Sequence, residues 1–520
     1  MGDCPTAVSD GDAHLLLFSM RNRIGVLLAC VLAFPVAASE KGTARATLAA
    51  KTKAEFIHAW NAYERHASGF DELLPLTKSG KNWHDGHTLL MTPVDALDTM
   101  LIMGLTDEAA KTRAHIIKTL RFDQDIEVKN FEITIRILGG LLSSYQMTGD
   151  KRLLVMAADL GTRLLPVFNS PTGLPYMFVN LKTGKTSGVV SNPAEIGTLI
   201  LEFGTLAKLT GREEFFTKAK RALVELYKRR DPKTALVGQG INVETGAWTS
   251  TSSHIGGAID SYYEYLAKCE RLFDDKECGE MSRTSLRAVN QYLADETASG
   301  LWYGAANMTS GERTRTTFGS LHAFFPSVLA FTGDLDRAKR LQDSAFRMWT
   351  LHGIEPEGLD YKEMRATSPG YQLRPEIVES AYYLDRYTKD PKYVAMGETI
   401  LNPQTRVLRP AGKPPPVISS SPGIPVGVFP KVARGFMRDF SSAKTLPGSE
   451  CPLEKPGRGL ASQFRRAVQS SGSCLIDALM AIPENASGAG PLRSPYRPGP
   501  SGRQKAPGGD RGECPLPTDV

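Results

Sequence analysis

The chain has 520 residues, 41% hydrophobic and 23% charged, so it is long enough to build one or two full-sized globular cores. This composition excludes a collagen-like or wholly disordered chain. The formal net charge of +6 is unevenly distributed, because residues 403–520 contain 16 Lys and Arg against eight Asp and Glu. The remaining residues, 1–402, are close to neutral. The main domain therefore does not favour nucleic acid as a partner.

The N-terminal region predicts export. Arg21 and Arg23 precede an apolar run over 24–34, and small residues follow as far as Ser39, as in a secretory signal peptide over 1–39. Met20, directly before Arg21, is an alternative start. The run is shorter than the roughly 20 apolar residues of a membrane span, so an uncleaved anchor is the less favoured alternative. We expect no other transmembrane span, and a location in the secretory pathway (ER lumen or secreted) or a bacterial periplasm.

Residues 45–402 have the pattern of an all-α domain. Apolar residues recur with a period near 3.6, and Gly, Asp or Pro separates successive segments, as in Thr148-Gly-Asp150. Such short links predict antiparallel helical hairpins. Thirteen amphipathic segments are predicted, near 51–68, 94–104, 106–120, 130–148, 150–166, 193–210, 212–229, 255–273, 276–294, 317–332, 334–352, 375–388 and 390–401.

The longer connections between helix pairs share a turn that contains glycine. The three copies begin at Asn180, Asn242 and Asn307 and are separated by 62 and 65 residues. Each copy predicts a β-hairpin, and the spacing predicts a repeat of two helices and one hairpin. We favour a closed α/α toroid over an open solenoid, because only a ring brings the acidic residues described below together.

Two further regions are interpreted from composition. Cys269 and Cys278, nine residues apart, are the two cysteines of the main domain, and an exported compartment permits a disulfide between them. Residues 403–520 hold 19 of the 33 prolines and no tryptophan. This divergent, Pro/Gly/Arg-rich segment is predicted to be disordered, and a basic binding tail is the alternative.

Acidic residues within apolar helical segments are the candidates for chemistry. Glu132, Glu202, Asp260 and Glu376 each lie in the first turns of a predicted helix. Each could be an ordinary dipole-complementing or ion-pairing residue, but four at the same structural position favour a shared site at one mouth of the toroid. Paired carboxylates suit acid and base catalysis on a sugar. We also expect aromatic neighbours at this mouth to pack on sugar faces, namely Tyr262, Tyr263, Phe325 and Tyr371.

Other motifs carry less weight. The sequence contains no dinucleotide fingerprint, phosphate loop or zinc-protease motif. His84 and His87 bracket Asp85-Gly86 but lack a third ligand, so we interpret them as a polar loop and not as a metal site. His322 could be either a core histidine or a sugar hydrogen-bond donor.

Six ordered segments resemble glycoside hydrolase family 47, the class I α-1,2-mannosidases. The resemblance covers 56–401, and its segments are Thr92–Met100, Ile102–Gly104, Phe131–Gly140, Leu201–Phe203, Asp260–Tyr265 and Leu373–Ser380. Two further segments, Val179–Gly184 and Ala323–Pro326, favour the branch of ER degradation-enhancing mannosidase-like proteins or their bacterial relatives.

Membership of this family implies an (α/α)7 barrel and calcium-dependent hydrolysis of terminal α-1,2-linked mannose, with inversion, on a high-mannose glycan or glycoprotein. It implies that Glu132 protonates the leaving oxygen through a water, with Asp260 as the alternative acid. Glu376 is the implied general base and Glu357 a further acidic site residue. The implied sugar- or water-binding residues are Arg136, Glu202, His322, Arg374 and Glu379.

The resemblance ends near Asn402. The family closes with a further helix and a segment whose threonine holds calcium, and neither pattern occurs in 403–520. Thirteen predicted helices are also one short of seven pairs. We therefore expect that residues 403–520 replace the usual C-terminus and that no calcium ligand is identifiable. The alternatives to an active enzyme are a catalytically impaired mannose-binding relative in glycoprotein quality control and, less favoured, a basic-tailed scaffold. The oligomeric state is not predicted.

Overall fold

The computed structural model describes residues 45–408, with side chains to residue 402. The predicted signal peptide and most of the tail that was predicted to be disordered lie outside these residues. The helices are α1 (45–67), α2 Met91–Ile102, α3 Thr106–Thr119, α4 Asn130–Ile133, α5 Gly139–Thr148, α6 Lys151–Leu164, α7 Pro193–Gly197, α8 Ile200–Thr210, α9 Glu213–Lys228, α10 Asp260–Phe273, α11 Lys276–Tyr292, α12 Phe325–Phe331, α13 Leu335–His352, α14 Glu376–Thr388 and α15 Lys392–Leu408.

These fifteen helices correspond to the thirteen predicted segments, since two of the segments each contain two helices. A π-helical turn, Thr134–Leu138, joins α4 to α5 into one segment, and a short break separates α7 from α8. Short 3₁₀ turns also occur at Leu165–Phe168 and Ser320–His322. The all-α class is confirmed. Among the described residues no helix is both long and apolar enough to cross a membrane.

The short links predicted between paired helices are specified by the residues at the helix ends. At the α5–α6 link, Gly149 has a φ of 72° and ends α5 in the left-handed conformation, where a side chain would be strained. Asp150 follows, and its carboxylate accepts a hydrogen bond from Arg152 N, which caps α6. Gly333 and Asp334 repeat the arrangement before α13. Each link reverses the chain and pairs an inner helix with an outer one.

Packing between the hairpins produces the ring. The inner helices α2, α5, α8, α10, α12 and α14 pack each on the next, and each also packs on its outer partner. Helix α1 joins the two ends of this series, since Arg45 pairs with Asp385 of α14 and Lys53 Nζ donates to Met103 O, just after α2. The α/α toroid is confirmed, and the described residues supply six helix pairs and α1, one helix short of the seven pairs of an (α/α)7 barrel. All inner helices run in one direction, so their N-termini lie at one mouth.

Short antiparallel sheets fill that mouth. Their strands are β1 Glu72–Leu74, β2 Ser79–Lys81, β3 Glu127–Lys129, β4 Phe178–Asn180, β5 Thr186–Ser187, β6 Val190–Ser191, β7 Gly240–Asn242, β8 Trp248–Ser250, β9 Ser252–Ser253, β10 Ala294–Thr297, β11 Gly300–Tyr303, β12 Ala305–Asn307, β13 Arg313–Arg315, β14 Thr317–Phe318, β15 Gly358–Asp360 and β16 Arg365–Ser368. The strand that leads into an inner helix pairs with the hairpin of a neighbouring repeat, as β3 does with β4 and β6 with β7.

The three predicted β-hairpins are present, and the structure adds a fourth copy. In the first three, the side chain of Asn180, Asn242 or Asn307 accepts from two backbone N–H groups, and a glycine with positive φ follows four residues later. In the fourth, Asp360 makes the same two bonds and Met364 takes the glycine position with a φ of 48°. The glycine-based pattern therefore could not detect this copy.

Cys269 near the end of α10 and Cys278 near the start of α11 form a disulfide. The disulfide cross-links the end of α10 to the start of α11. Both cysteines are fully buried, away from the mouth, which agrees with a structural role.

Candidate functional site

Four acidic residues predicted from the sequence occupy equivalent positions in the ring. Asp260 and Glu376 are the first residues of α10 and α14, and Glu132 and Glu202 lie in the first turns of α4 and α8. Because the inner helices are parallel, these carboxylates share one mouth. The positive end of each helix dipole also favours the charged form of a carboxylate at this position.

Arg136 joins two carboxylates at the start of the α4–α5 segment. Its Nε donates to Glu132 Oε2 at 3.0 Å, and its Nη1 lies 3.5 Å from Asp95 Oδ2 in α2. Arg136 sits inside the π-helical turn, a feature that recurs at functional sites in other proteins. The guanidinium also lies 5.9 Å from the centre of the Trp83 ring. The sequence singled out Glu132 and Arg136 but missed Asp95.

Glu202 is buried between α8 and α10. The hydroxyl of Tyr265 donates to Glu202 Oε1 at 2.8 Å, while Oε2 has no hydrogen-bond partner within the described part of the chain. Burial raises the pKa of Glu202 to about 7 from an ordinary value near 4.5, and the Tyr265 bond opposes only part of this effect. Such a carboxyl holds a proton over part of the neutral pH range, as groups at functional sites often do.

One buried lysine compensates two acidic residues within the ring. Lys268 of α10 is 7% exposed and forms an ion pair with Glu264, one turn earlier. Despite burial, the pKa of Lys268 stays above its usual value because of Glu264, Tyr383 and Glu379, the last of which lies in the first turn of α14. The predicted residue Glu379 is therefore close to α10.

Glu357 is held by three donors. Ser320 Oγ donates to its Oε2 at 2.9 Å, Gln372 N donates to Oε1 at 2.8 Å, and Arg374 forms an ion pair with Oε2. The structure thus brings together the predicted residues Glu357 and Arg374. These bonds leave Glu357 a positioned, charge-compensated carboxylate.

Glu355 is the most unusual carboxyl of the described residues, and the sequence did not single it out. Its side chain has no exposed surface, and neither oxygen has a hydrogen-bond partner among residues 45–402. Burial raises the pKa of Glu355 well above its usual range, and the neighbouring carboxylates of Glu376 and Glu357 raise it further. Glu376 and Glu357 are thus both neighbours of Glu355. Two acids within three residues, at 355 and 357, were the available signal.

His322 contacts the loop before α10. Its ring lies 6.2 Å from the ring of His254, centre to centre, and at Gly256 an added Cβ would lie only 2.3 Å from His322 Cε1. The sequence singled out His322 but missed His254. The loop that carries His322 leads into α12, so this residue lies at the same end of the ring as the acids.

The prediction that aromatic side chains at the mouth pack on sugar faces was wrong for Tyr262, Tyr263 and Phe325. Tyr262, Tyr263 and Phe325 are at most 2% exposed and pack in the core, with Tyr263 edge-on to Phe325. Tyr371 is also buried and packs edge-on to Trp349. Aromatic residues on inner helices fill the ring because their large apolar area outweighs the cost of burying one hydroxyl.

Residues 45–402 contain no compact cluster of carboxylates of the kind that often binds calcium. The one group of three or more His, Cys, Asp or Glu ligand atoms within 4.8 Å of one another in 45–402 is Cys269, Asp275 and Cys278, whose two sulfur atoms form the disulfide. His87 Nδ1 instead hydrogen-bonds Gln124 Oε1. We therefore assign no chemical step to calcium.

Replacing Arg136 by methionine should destabilise the protein. The substitution removes the cation that Glu132 and Asp95 share, and both carboxylates are partly buried, so we expect the free energy of unfolding to fall by about 3 kcal/mol. Urea denaturation at pH 7 measures this change. Arg340→Met is the matched control, because Arg340 also joins two carboxylates, Glu296 and Asp336, but on the surface. We expect the control to lose less than about 1 kcal/mol; equal losses would contradict the prediction.

Comparison with known proteins identifies the family of this chain. The model of glycosyl hydrolase family 47 matches residues 55–409. The chain is 38% identical over 357 residues to alpha-mannosidase I MNS4 of Arabidopsis thaliana, a match that covers 66% of this chain and 56% of that protein. It is 37% identical over 363 residues to ER degradation-enhancing alpha-mannosidase-like protein 2 of Mus musculus, covering 67% of this chain and 62% of that protein. The chain thus spans less than two thirds of either relative.

A solved structure is also similar. The alpha-1,2-mannosidase from Trichoderma reesei superposes with a TM-score of 0.65 at 26% sequence identity, over 70% of this chain and 85% of that chain. The barrel, the carboxylates at its mouth and these matches lead to one conclusion: the chain belongs to glycosyl hydrolase family 47.

Proposed function

We propose that this protein hydrolyses terminal α-1,2-linked mannose from high-mannose N-glycans with inversion of configuration. The observation that carries the proposal is the placement of Glu132, Asp260 and Glu376 in the first turns of inner helices at one mouth of the barrel. An inverting glycosidase needs one carboxylic acid to protonate the leaving oxygen and a second, ionised carboxylate to activate a water.

Glu376 is the proposed general base. As the first residue of α14 it faces the positive end of that helix dipole, which favours the ionised form that a base requires. Its buried neighbour Glu355 retains a proton more readily. A neutral Glu355 adds no negative charge next to Glu376 and Glu357. In the proposed step, Glu376 accepts a proton from the attacking water while the water oxygen bonds to the anomeric carbon. The bond from that carbon to the leaving oxygen breaks at the same time, and the general acid supplies the proton of the leaving hydroxyl.

Glu132 is the proposed acid, acting on the leaving oxygen through a water, and Asp260 is the alternative. Glu132 keeps its position through its bond to Arg136, and Asp260 Oδ1 accepts a hydrogen bond from Ser261 N at 2.8 Å. Glu357 is proposed as a further acidic residue of the active site. The residues proposed to bind sugar hydroxyls or ordered water are Arg136, Glu202, His322, Arg374 and Glu379.

The compartment and the metal belong to the same proposal. Relatives such as ER degradation-enhancing alpha-mannosidase-like protein 2 carry the ER in their names, which supports the secretory pathway for this chain; a bacterial periplasm is the alternative. Calcium dependence rests on family membership alone, since residues 45–402 supply no carboxylate cage for the ion.

The test is release of mannose from a nine-mannose N-glycan by the full chain, followed by mass spectrometry with and without a chelator. We expect stepwise loss of mannose, and NMR should show that the anomer first released is inverted. Binding of the glycan without turnover would contradict the hydrolase and support the impaired, mannose-binding alternative. Activity that is unaffected by the chelator would remove calcium from the proposal and leave the hydrolase intact.

A further inference from the structure

His254 and His322 form a pair of rings at the mouth of the barrel. His254 follows β9 in the loop that leads into α10, and His322 ends the 3₁₀ turn that leads into α12. Their ring planes are inclined by 33°. Because both loops lead into inner helices, the pair lies at the same end of the ring as the carboxylates.

Backbone hydrogen bonds fix the same ring nitrogen in both residues. Gly256 N donates to His254 Nδ1 at 3.2 Å, and Gly319 N donates to His322 Nδ1 at 3.3 Å. A nitrogen that accepts a hydrogen bond carries no proton, so the proton of each neutral ring is on Nε2. Burial lowers the pKa of His254 to about 4 and that of His322 to about 3, so both rings are neutral at neutral pH.

The Nε2–H group of His254 lacks an acceptor. The residue is 8% exposed, and no side chain or backbone oxygen in the described part of the chain accepts from this nitrogen. Nε2 is not one of the fully buried side-chain atoms without a partner, so it keeps some contact with its surroundings, and water or a ligand can accept its hydrogen bond. An uncharged, rigidly held donor suits a neutral hydroxyl better than a phosphate or carboxylate, for which arginine or lysine is the usual partner.

We propose that the Nε2–H of His254 donates a hydrogen bond to a hydroxyl of the bound mannoside, beside the His322 ring. This inference rests on the proposed function and adds a sugar-binding residue to it. A bond made equally to the bound substrate and to the transition state affects affinity and leaves kcat unchanged.

Two substitutions separate this role from a structural one. His254→Asn keeps an acceptor near the position of Nδ1 for Gly256 N but removes the Nε2 donor. His254→Gln places an amide N–H near Nε2 but gives up the bond to Gly256. We expect His254→Asn to weaken binding of α-1,2-linked mannobiose about tenfold and His254→Gln to stay within about twofold of the parent. Titration calorimetry in a Glu376→Gln background measures binding, so that the sugar is not consumed.

The outcomes are distinguishable. Parent-like affinity of His254→Asn would overturn the inference, as would equal weakening by both substitutions or no binding of mannobiose to the parent. If His254→Asn melts at a lower temperature than the parent, parent-like affinity of His254→Gln still supports the donor. Hydrolysis by the unsubstituted chain is measured separately. Absence of hydrolysis with the Asn and Gln difference intact would remove the proposed reaction and keep the sugar-binding role.

Discussion

Replacement of Glu376 by glutamine is expected to lower kcat for mannose release about a thousandfold while the protein stays folded and binds the sugar. The amide cannot accept the proton of the attacking water, and general base catalysis contributes roughly 10²–10⁴ in rate. The glutamine side chain has nearly the same shape, so the contacts at the start of α14 should persist. Single-turnover release of mannose measures the rate, and calorimetry with mannobiose measures binding.

Glu398→Gln is the matched control, because Glu398 is an exposed glutamate on the outer helix α15. We expect it to retain the full rate. A full rate in Glu376→Gln, together with a large loss in Asp260→Asn, would reassign the base. A loss of mannobiose binding equal to the loss of rate would make Glu376 a binding residue.

The helical framework could be predicted from the sequence because it is locally encoded. Apolar periodicity gives the helices, and pairs such as Gly149-Asp150 end one helix and start the next through their own backbone and side-chain preferences. The β-hairpins follow from the Asn and Gly turn in the same way. The fourth hairpin was not predicted because Met364 stands where the other three copies have glycine, although it adopts a similar positive φ.

The positions of the candidate acids could also be predicted, since each one begins a helix that follows a loop. Their partners could not, because those contacts join distant parts of the chain. Asp95 is 41 residues from Arg136, and His254 is 68 residues from His322. Burial was the second obstacle. Tyr263 on an inner helix gives the same apolar pattern whether it packs in the core or faces a sugar, and only the closed ring places it in the core.

Replacement of Glu355 by glutamine is expected to stabilise the protein at pH 7 by about 1–3 kcal/mol, since each pH unit over which a buried carboxyl is kept from ionising costs about 1.4 kcal/mol. The Glu355 carboxyl is fully buried and lies near two other carboxylates, and neither oxygen has a partner within the described chain. Ionising it in the folded state is therefore unfavourable. Glutamine has a similar shape and carries no charge at any pH.

The pH dependence gives the sharper test. The pKa of Glu355 is higher in the folded protein than its ordinary value near 4.5, so its contribution to stability is complete below pH 4.5 and is lost as the pH rises toward the folded-state pKa. The stability gap between Glu355→Gln and the parent should therefore be small at pH 4. It should widen by up to about 1.4 kcal/mol per pH unit above pH 4.5.

Urea denaturation from pH 4 to pH 8 measures this gap. Glu363→Gln is the matched control, because Glu363 follows β15 in the neighbouring hairpin and its side chain is exposed to solvent. An exposed carboxylate loses little hydration on folding, so the gap between this control and the parent should stay nearly constant with pH. A gap for Glu355→Gln that is equally constant would mean that Glu355 ionises in the folded protein as readily as in the unfolded chain. The proposed mechanism would then no longer include a neutral Glu355 that lowers the negative charge around Glu376.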